Sequence, residues 1–255
     1  MAEPLVKVEE RDGAAWVALN RPPLNLLVPE LIRSIREAFE RLARTQGVRL
    51  AVITGSGRAF TAGMDVCVLK DLSVASAKVL ITELHEAINA VHDAPFPVIA
   101  MLHGYCLGAG FELALACDLR TAAAQTQLGL PEIRVGVPSV IEAALLPGLI
   151  GPGRAAEVLL AGDMFNAEQA CQWGLVNHVA PPHELEAVTR RLAERILACA
   201  PTAVRMQKEL ISRWRQTDLR SAITYGINAF ATCFATDEPR EAMTAFLEKR
   251  APTFK

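Results

Sequence analysis

The stretch that decides the fold is HGYCLGAGFELALACD, residues 103–118, which follows the apolar segment 98–102. Its small residues at 108–110 lie where a strand turns into a helix. The helix predicted over 110–118 is apolar at almost every position, which indicates burial on all sides. The N–H groups at a helix start lack intrahelical partners and carry the positive end of the dipole, so they suit an anion. Close packing of the turn also selects small residues, so this loop alone leaves both interpretations open.

A second loop of the same kind is GSGRAFTAGMD, residues 55–65, which follows the apolar strand predicted over 50–54. Two such loops can bring a pair of backbone N–H groups to one developing oxyanion. Asp65 is predicted to cap a helix over 66–71. The pair of loops indicates chemistry on an acyl thioester.

Three glutamates lie in the 103–118 stretch or within the 24 residues after it. Glu112 falls in the first turn of the apolar helix, where the dipole favours its ionised form and burial opposes it. Glu132 follows Pro131, which is also an ordinary pattern for a helix start. Glu142 lies in a helix predicted over 138–144 and is either a solvated acid or a third site carboxylate. Two carboxylates around one water can divide the acid and base roles.

Strand and helix patterns alternate along the first 180 residues, which predicts an α/β core with parallel pairing. The predicted elements are a hairpin over 5–20, helices over 29–43, 73–92, 153–161 and 167–173, and strands over 50–54, 98–102, 119–122 and 175–179. From residue 183 onward the pattern is helical only. Its apolar faces predict a tail that packs on the core or on another subunit.

Composition excludes several classes of protein. The chain has 255 residues, 51% of them hydrophobic, and a net charge of −2, which argues against a nucleic-acid partner. No charge-free apolar run approaches the roughly 18 residues of a membrane span. Residues 1–5 lack a signal pattern, so we expect no membrane partner and a cytoplasmic location. The six cysteines form no C-x-x-C pair and are expected to be small buried residues in a reducing compartment.

Competing motifs fail at particular positions. The segment GSGRAF has Phe60 where a dinucleotide fingerprint needs its third glycine. The segment HEAIN has Asn89 where a zinc helix needs its second histidine.

The motifs at 57–65 and 104–118 resemble those of the crotonase superfamily, the enoyl-CoA hydratase and isomerase group. Pro131-Glu132, the segment WGLV at 173–176 and the ending FLEKRAPTF at 246–254 agree as well, so the resemblance covers nearly the whole chain. It implies a spiral of ββα units over residues 1–195 with the active site. It also implies a C-terminal helical trimerisation region over 196–255 that completes the CoA and acyl pocket.

The resemblance also implies roles for individual residues. Met64 and Ala109 supply the oxyanion N–H groups, and Glu112 and Glu132 are the catalytic acids and bases. The residues expected to bind CoA or the acyl group are Asn25, Leu26, Ala62, Met64, Gly108, Phe246 and Lys249. No metal or separate cofactor is implied, since CoA is part of the substrate. The assembly is expected to be a homotrimer or a dimer of trimers.

The implied reaction is syn addition of water to a trans-2-enoyl-CoA in fatty acid metabolism, because both glutamates are present. Double-bond isomerisation, thioester hydrolysis and a non-catalytic binding role remain alternatives. Residues 139–142, SVIE, replace a glycine pair that is common in the family, and this change could place Glu142 near the substrate.

Overall fold

An antiparallel hairpin forms one edge of the main sheet in the structure, a computed structural model that describes residues 3–254. Strands β1 (Val6–Arg11) and β2 (Ala14–Leu19) pair across Asp12 and Gly13, as the sequence predicts. Met1, Ala2 and Lys255 lie outside the described residues, and so do the parts of the predictions that concern them.

The main sheet has six strands in the order β1-β2-β3-β4-β6-β9, and every pairing from β2 onward is parallel. Its further strands are β3 (Leu50–Gly55), β4 (Val98–Leu102), β6 (Leu119–Ala123) and β9 (His178–Ala180). A smaller sheet in the order β5-β7-β8 comprises β5 (Tyr105–Leu107), β7 (Gln127–Gly129) and β8 (Phe165–Asn166). The predicted parallel α/β core is confirmed.

Helices cover both faces of the main sheet and then extend past it. They are α1 (Pro29–Leu42), α2 (Val66–Leu69), α3 (Val74–His92), α4 (Ala109–Ala116), α5 (Leu146–Ile150), α6 (Pro152–Ala161), α7 (Ala167–Gln172), α8 (Leu185–Leu197), α9 (Pro201–Trp214), α10 (Leu219–Cys233) and α11 (Glu238–Leu247). Single 3-10 turns span Pro131–Val135, Glu142–Leu145 and Pro182–Glu184. Within residues 3–254, no helix has both the length and the apolar character to cross a membrane.

Alternate residues of each strand face different layers, because side chains alternate across a strand. On β3, Ala51 and Ile53 pack with α1, α3 and α4, whereas Leu50 and Val52 pack with α8. The helix α8 is therefore part of the core. The predicted boundary at 195/196 falls inside α8.

The predicted last strand over 175–179 is wrong in position. Leu175 and Val176 are buried, but their N–H groups donate to the Ala170 carbonyl and close the end of α7. Pairing with β6 begins only once the Asn177 N–H reaches the Arg120 carbonyl at 2.8 Å. The apolar residues Leu175 and Val176 therefore close the end of α7 and do not pair with the sheet.

The cysteine prediction is half correct. Cys106 and Cys117 are buried, and Cys233 is half-buried, but Cys67, Cys171 and Cys199 are exposed. All six are free thiols.

Gly104 locks the two glycine loops together. It has a φ of +60°, and a Cβ built on it would lie 1.8 Å from the Arg58 carbonyl oxygen. The neighbouring backbone is fixed as well, since the Phe60 N–H donates to the His103 carbonyl at 2.8 Å.

We expect Gly104→Ala to lower the free energy of unfolding by about 2–3 kcal/mol, because a side chain both strains this backbone and strikes a carbonyl. Urea unfolding measures the loss. Gly153→Ala in α6 is the control, since nothing lies within 4 Å of its Cβ position and an alanine there changes stability by at most about 1 kcal/mol. Equal effects of the two substitutions would contradict this account of Gly104.

Candidate active site

The two glycine loops meet directly before Met64 and Ala109. A Cβ on Gly63 would lie 2.9 Å from the Leu107 carbonyl oxygen and 3.7 Å from the Gly108 Cα atom. A parallel bridge between Thr61 and Cys106 aligns the two loops. The backbones therefore approach too closely for any side chain at Gly63.

Within residues 3–254, the N–H groups of Met64 and Ala109 have no protein acceptor. Met64 forms a parallel bridge with Leu27, in which the Leu27 N–H bonds the Gly63 carbonyl and the Asp65 N–H bonds the Leu27 carbonyl. In such a bridge the N–H of the central residue points away from the partner strand. The N–H of Ala109 is free because Ala109 is the first residue of α4. Two donors are thus available for an oxyanion.

Glu112 lies one turn inside α4, and all eight residues of this helix are buried, as predicted. Glu112 itself is 2% exposed, and its Oε1 atom accepts a hydrogen bond from the Ala143 N–H at 3.0 Å. Burial raises the pKa of Glu112 to about 7; the Ala143 N–H opposes this rise, and the charges of Glu132 and Glu142 add to it. The carboxyl group can therefore exchange a proton near neutral pH.

Glu132 reaches the start of α4 from the 3-10 turn Pro131–Val135. A Cβ on Gly108 would lie 2.5 Å from its Oε1 atom, so only a glycine leaves room for this carboxylate. Burial raises the pKa of Glu132, although Ser139 Oγ donates to its Oε2 atom at 2.8 Å. The structure brings the two catalytic candidates to the same end of one helix.

Glu142 is not a solvated acid. It begins the 3-10 turn Glu142–Leu145 and not a helix over 138–144, and it is 8% exposed. Its Oε1 atom lies 2.7 Å from His85 Nδ1, and burial raises its pKa while His85 lowers it. The third carboxylate therefore belongs to the same neighbourhood as Glu112.

The predicted CoA-binding residues divide into three groups. Leu26 and Ala62 are half-buried beside the Met64 bridge, and the Ala62 N–H donates to the Leu24 carbonyl.

Asn25 has a different role from the predicted one, because it is fully buried. Its Nδ2 atom lies within hydrogen-bond distance of the Ser56, Ala59 and Phe60 carbonyls, and its Oδ1 atom accepts from the Arg21 N–H. Asn25 thus shapes the 55–65 loop and has no surface for a ligand.

The third group lies near the C-terminus. Phe246 is 81% exposed on α11, and Lys249 follows the helix on the surface. Neither residue lines an enclosed pocket within a single chain.

Sequence reasoning missed three contacts. Ser139 and the Ala143 N–H hold Glu132 and Glu112, and His85 holds Glu142. Their signal in the sequence is weak, because His85 and Glu142 are 57 positions apart. Asp65, by contrast, caps α2 as predicted by accepting from the Cys67 N–H.

Comparison with known proteins gives the class of this chain. Residues 9–255 match the family model for enoyl-CoA hydratase/isomerase. The chain is 37% identical to the crotonyl-CoA hydratase of Syntrophomonas wolfei, and the match covers 100% of this chain and 99% of that protein. It is 32% identical to the short-chain-enoyl-CoA hydratase of Clostridium acetobutylicum, with 96% and 95% covered.

The same class appears among solved structures. The enoyl-CoA hydratase of Bacillus anthracis superposes with a TM-score of 0.95 at 32% identity, over 98% of this chain and 99% of that one. The chain therefore belongs to the enoyl-CoA hydratase/isomerase family, and it has the crotonase fold that its motifs predict.

Proposed function

We propose that this protein is an enoyl-CoA hydratase that adds water across the C2=C3 bond of a trans-2-enoyl-CoA. One observation carries the proposal: the buried carboxyl group of Glu112, the half-buried one of Glu132 and two backbone N–H groups without an acceptor in residues 3–254 lie together at the start of α4. An isomerase needs one carboxyl group to move a proton, whereas activation of water and delivery of a proton use two.

The thioester oxygen binds between the N–H groups of Met64 and Ala109. Glu112, as carboxylate, takes a proton from water while the water oxygen bonds to C3. The electron pair of the double bond moves to the thioester oxygen, where the two donors stabilise the charge. Glu132, as the neutral acid, then gives its proton to C2 on the same face. Transfer of the proton from Glu112 to Glu132 restores the starting state.

The substrate class follows from the relatives and from the site. The relatives include proteins named for crotonyl-CoA and short-chain enoyl-CoA. A further relative, 32% identical over 98% of this chain, is the (E)-benzylidenesuccinyl-CoA hydratase of Thauera aromatica. We take a short linear enoyl-CoA as the first substrate to test, with CoA as part of the substrate and no further cofactor.

We also propose that the C-terminal helices assemble three chains, or six as a dimer of trimers. Large apolar side chains of α10 and α11 are exposed: Leu219, Ile223, Ile227, Phe230, Met243, Phe246 and Leu247. An apolar face of this extent is typical of a subunit interface. In the assembly, Phe246 and Lys249 would complete the acyl and CoA pocket. The free thiols support a reducing compartment such as the cytoplasm.

Loss of absorbance of the conjugated thioester measures hydration of crotonyl-CoA. We expect activity in the wild type and a loss of about 10²–10⁴-fold in kcat for Glu112→Gln and for Glu132→Gln, because each removes one acid–base group and keeps the shape. Glu157→Gln, on the exposed face of α6, should match the wild type. Full hydration by Glu112→Gln would contradict its role as base. Isomerised product without hydrated product would favour an isomerase.

The activity should also depend on pH in a defined way. Glu112 must be ionised to accept a proton, and its pKa is raised to about 7. Because the mechanism also needs Glu132 as the neutral acid, the two carboxyl groups must share one proton, and kcat/KM should be bell-shaped in pH. It should fall about tenfold per pH unit on the acid side, where both groups are protonated, and on the alkaline side, where both are ionised. A profile without an acid limb would contradict this assignment of the base.

The oligomer is tested by light scattering on the purified protein. We expect three or six times the mass of one chain. Replacing Phe230 and Phe246 by Asp should yield smaller species, since charges do not tolerate burial in an apolar interface. A monomeric, fully active wild type would contradict the proposed assembly.

A further inference from the structure

We propose that His85 and Glu142 act as a positioning pair for Glu112. Their contact holds the 3-10 turn that donates the Ala143 N–H to Glu112, and it sets a carboxylate charge beside that residue. The inference rests on the proposed function only in treating Glu112 as the base.

The pair joins two elements that flank α4. His85 belongs to α3, and Glu142 begins the turn Glu142–Leu145. The two side chains meet at 2.7 Å, and the next residue, Ala143, donates its N–H to Glu112 at 3.0 Å. A movement of Glu142 would therefore shift the hydrogen bond on Glu112 directly.

A role in packing alone does not explain why residue 142 carries a carboxylate. The Oε2 atom of Glu142 is buried and has no hydrogen-bond partner in the part of the chain that the structure describes. Leaving a buried polar atom unpaired is destabilising, and an amide or apolar side chain could close the turn without that penalty. Because Oε2 of Glu142 accepts no hydrogen bond, few donors offset the negative charge of this carboxylate.

The charged neighbours define what this charge does. Glu142 faces His85 and His92 from α3 and Glu112 from α4, and Glu112 faces Glu132 and Glu142. The His85 side chain is half-exposed, whereas that of Glu142 is 10% exposed. With His85 neutral, its Nδ1–H donates to an ionised Glu142, and that negative charge favours the protonated form of Glu112.

The test is Glu142→Gln, which keeps the shape and the contact with His85 but removes the charge. Carbon-13 NMR of glutamate side-chain carboxyls, with Glu112 assigned by the signal lost in Glu112→Gln, measures its titration without substrate. We expect the midpoint of Glu112 to move down by about 1 pH unit, as a unit charge within roughly 10 Å produces at an effective dielectric constant of about 20. The acid limb of kcat/KM should move down with it.

Glu86→Gln is the matched control. Glu86 follows His85 on α3 but is exposed and pairs with Arg36, so its loss should leave the Glu112 midpoint in place. An unmoved midpoint in Glu142→Gln, or an equal movement in Glu86→Gln, would overturn the proposal.

A second variant tests the pair when Glu142→Gln does not fold. His85→Leu removes the Nδ1 donor that favours the ionised form of Glu142, so the midpoint of Glu142 should move up. An unchanged Glu142 midpoint would overturn the pairing. Failure of the hydratase proposal is distinct, because it appears as wild-type protein without hydration at any pH, whereas the NMR midpoints are measured without substrate.

Discussion

The complete burial of α4 is the constraint on which the rest of the structure depends. Both ends of this eight-residue helix lie away from water, so its end groups must find partners inside the protein. At the C-terminal end, Arg120 Nη1 donates to the Ala114 and Cys117 carbonyls at 3.0 and 2.7 Å. The buried guanidinium cation of Arg120 thus stabilises the negative end of the α4 dipole. The positive end lies beside Glu132 and, in the proposed mechanism, receives the substrate oxygen.

This arrangement explains why the site contains carboxyl groups that can hold protons. Burial disfavours the charged form of Glu112 and Glu132, while hydrogen bonds to the carboxylates favour it. The balance leaves Glu112 with a pKa of about 7, because the backbone N–H groups of Ala143 and Val140 do not offset burial and two neighbouring charges. The same burial that holds the helix in place therefore raises the pKa of both candidate catalytic carboxyl groups.

Much of the fold could be predicted because local patterns and tertiary packing agree. Three elements show this agreement, because the local pattern predicts the element that forms: the hairpin at Asp12-Gly13, the periodic helix α1 and the apolar helix α4. The strand expected at 175–179 failed because Leu175 and Val176 are equally suited to closing a helix end. The His85–Glu142 contact and the 3-10 turn at Glu142 depend on the packing of α3 beside α4, and no local pattern encodes that packing. The resemblance to the family predicts Asn25 at the ligand, but its amide bonds the 55–65 loop instead.

The glycine loops also restrict how such a protein can change during evolution. Cβ atoms on Gly55, Gly63, Gly104, Gly108 and Gly110 would all lie within 3.0 Å of neighbouring atoms. A side chain at these positions would therefore strike backbone atoms, the Asn25 or Thr61 side chain, or Glu132. The segment 133–140 is mostly exposed, and nothing lies within 4 Å of a Cβ at Gly136. Single mutations are therefore sterically accessible in this segment, so it can vary while the glycine loops are inherited unchanged.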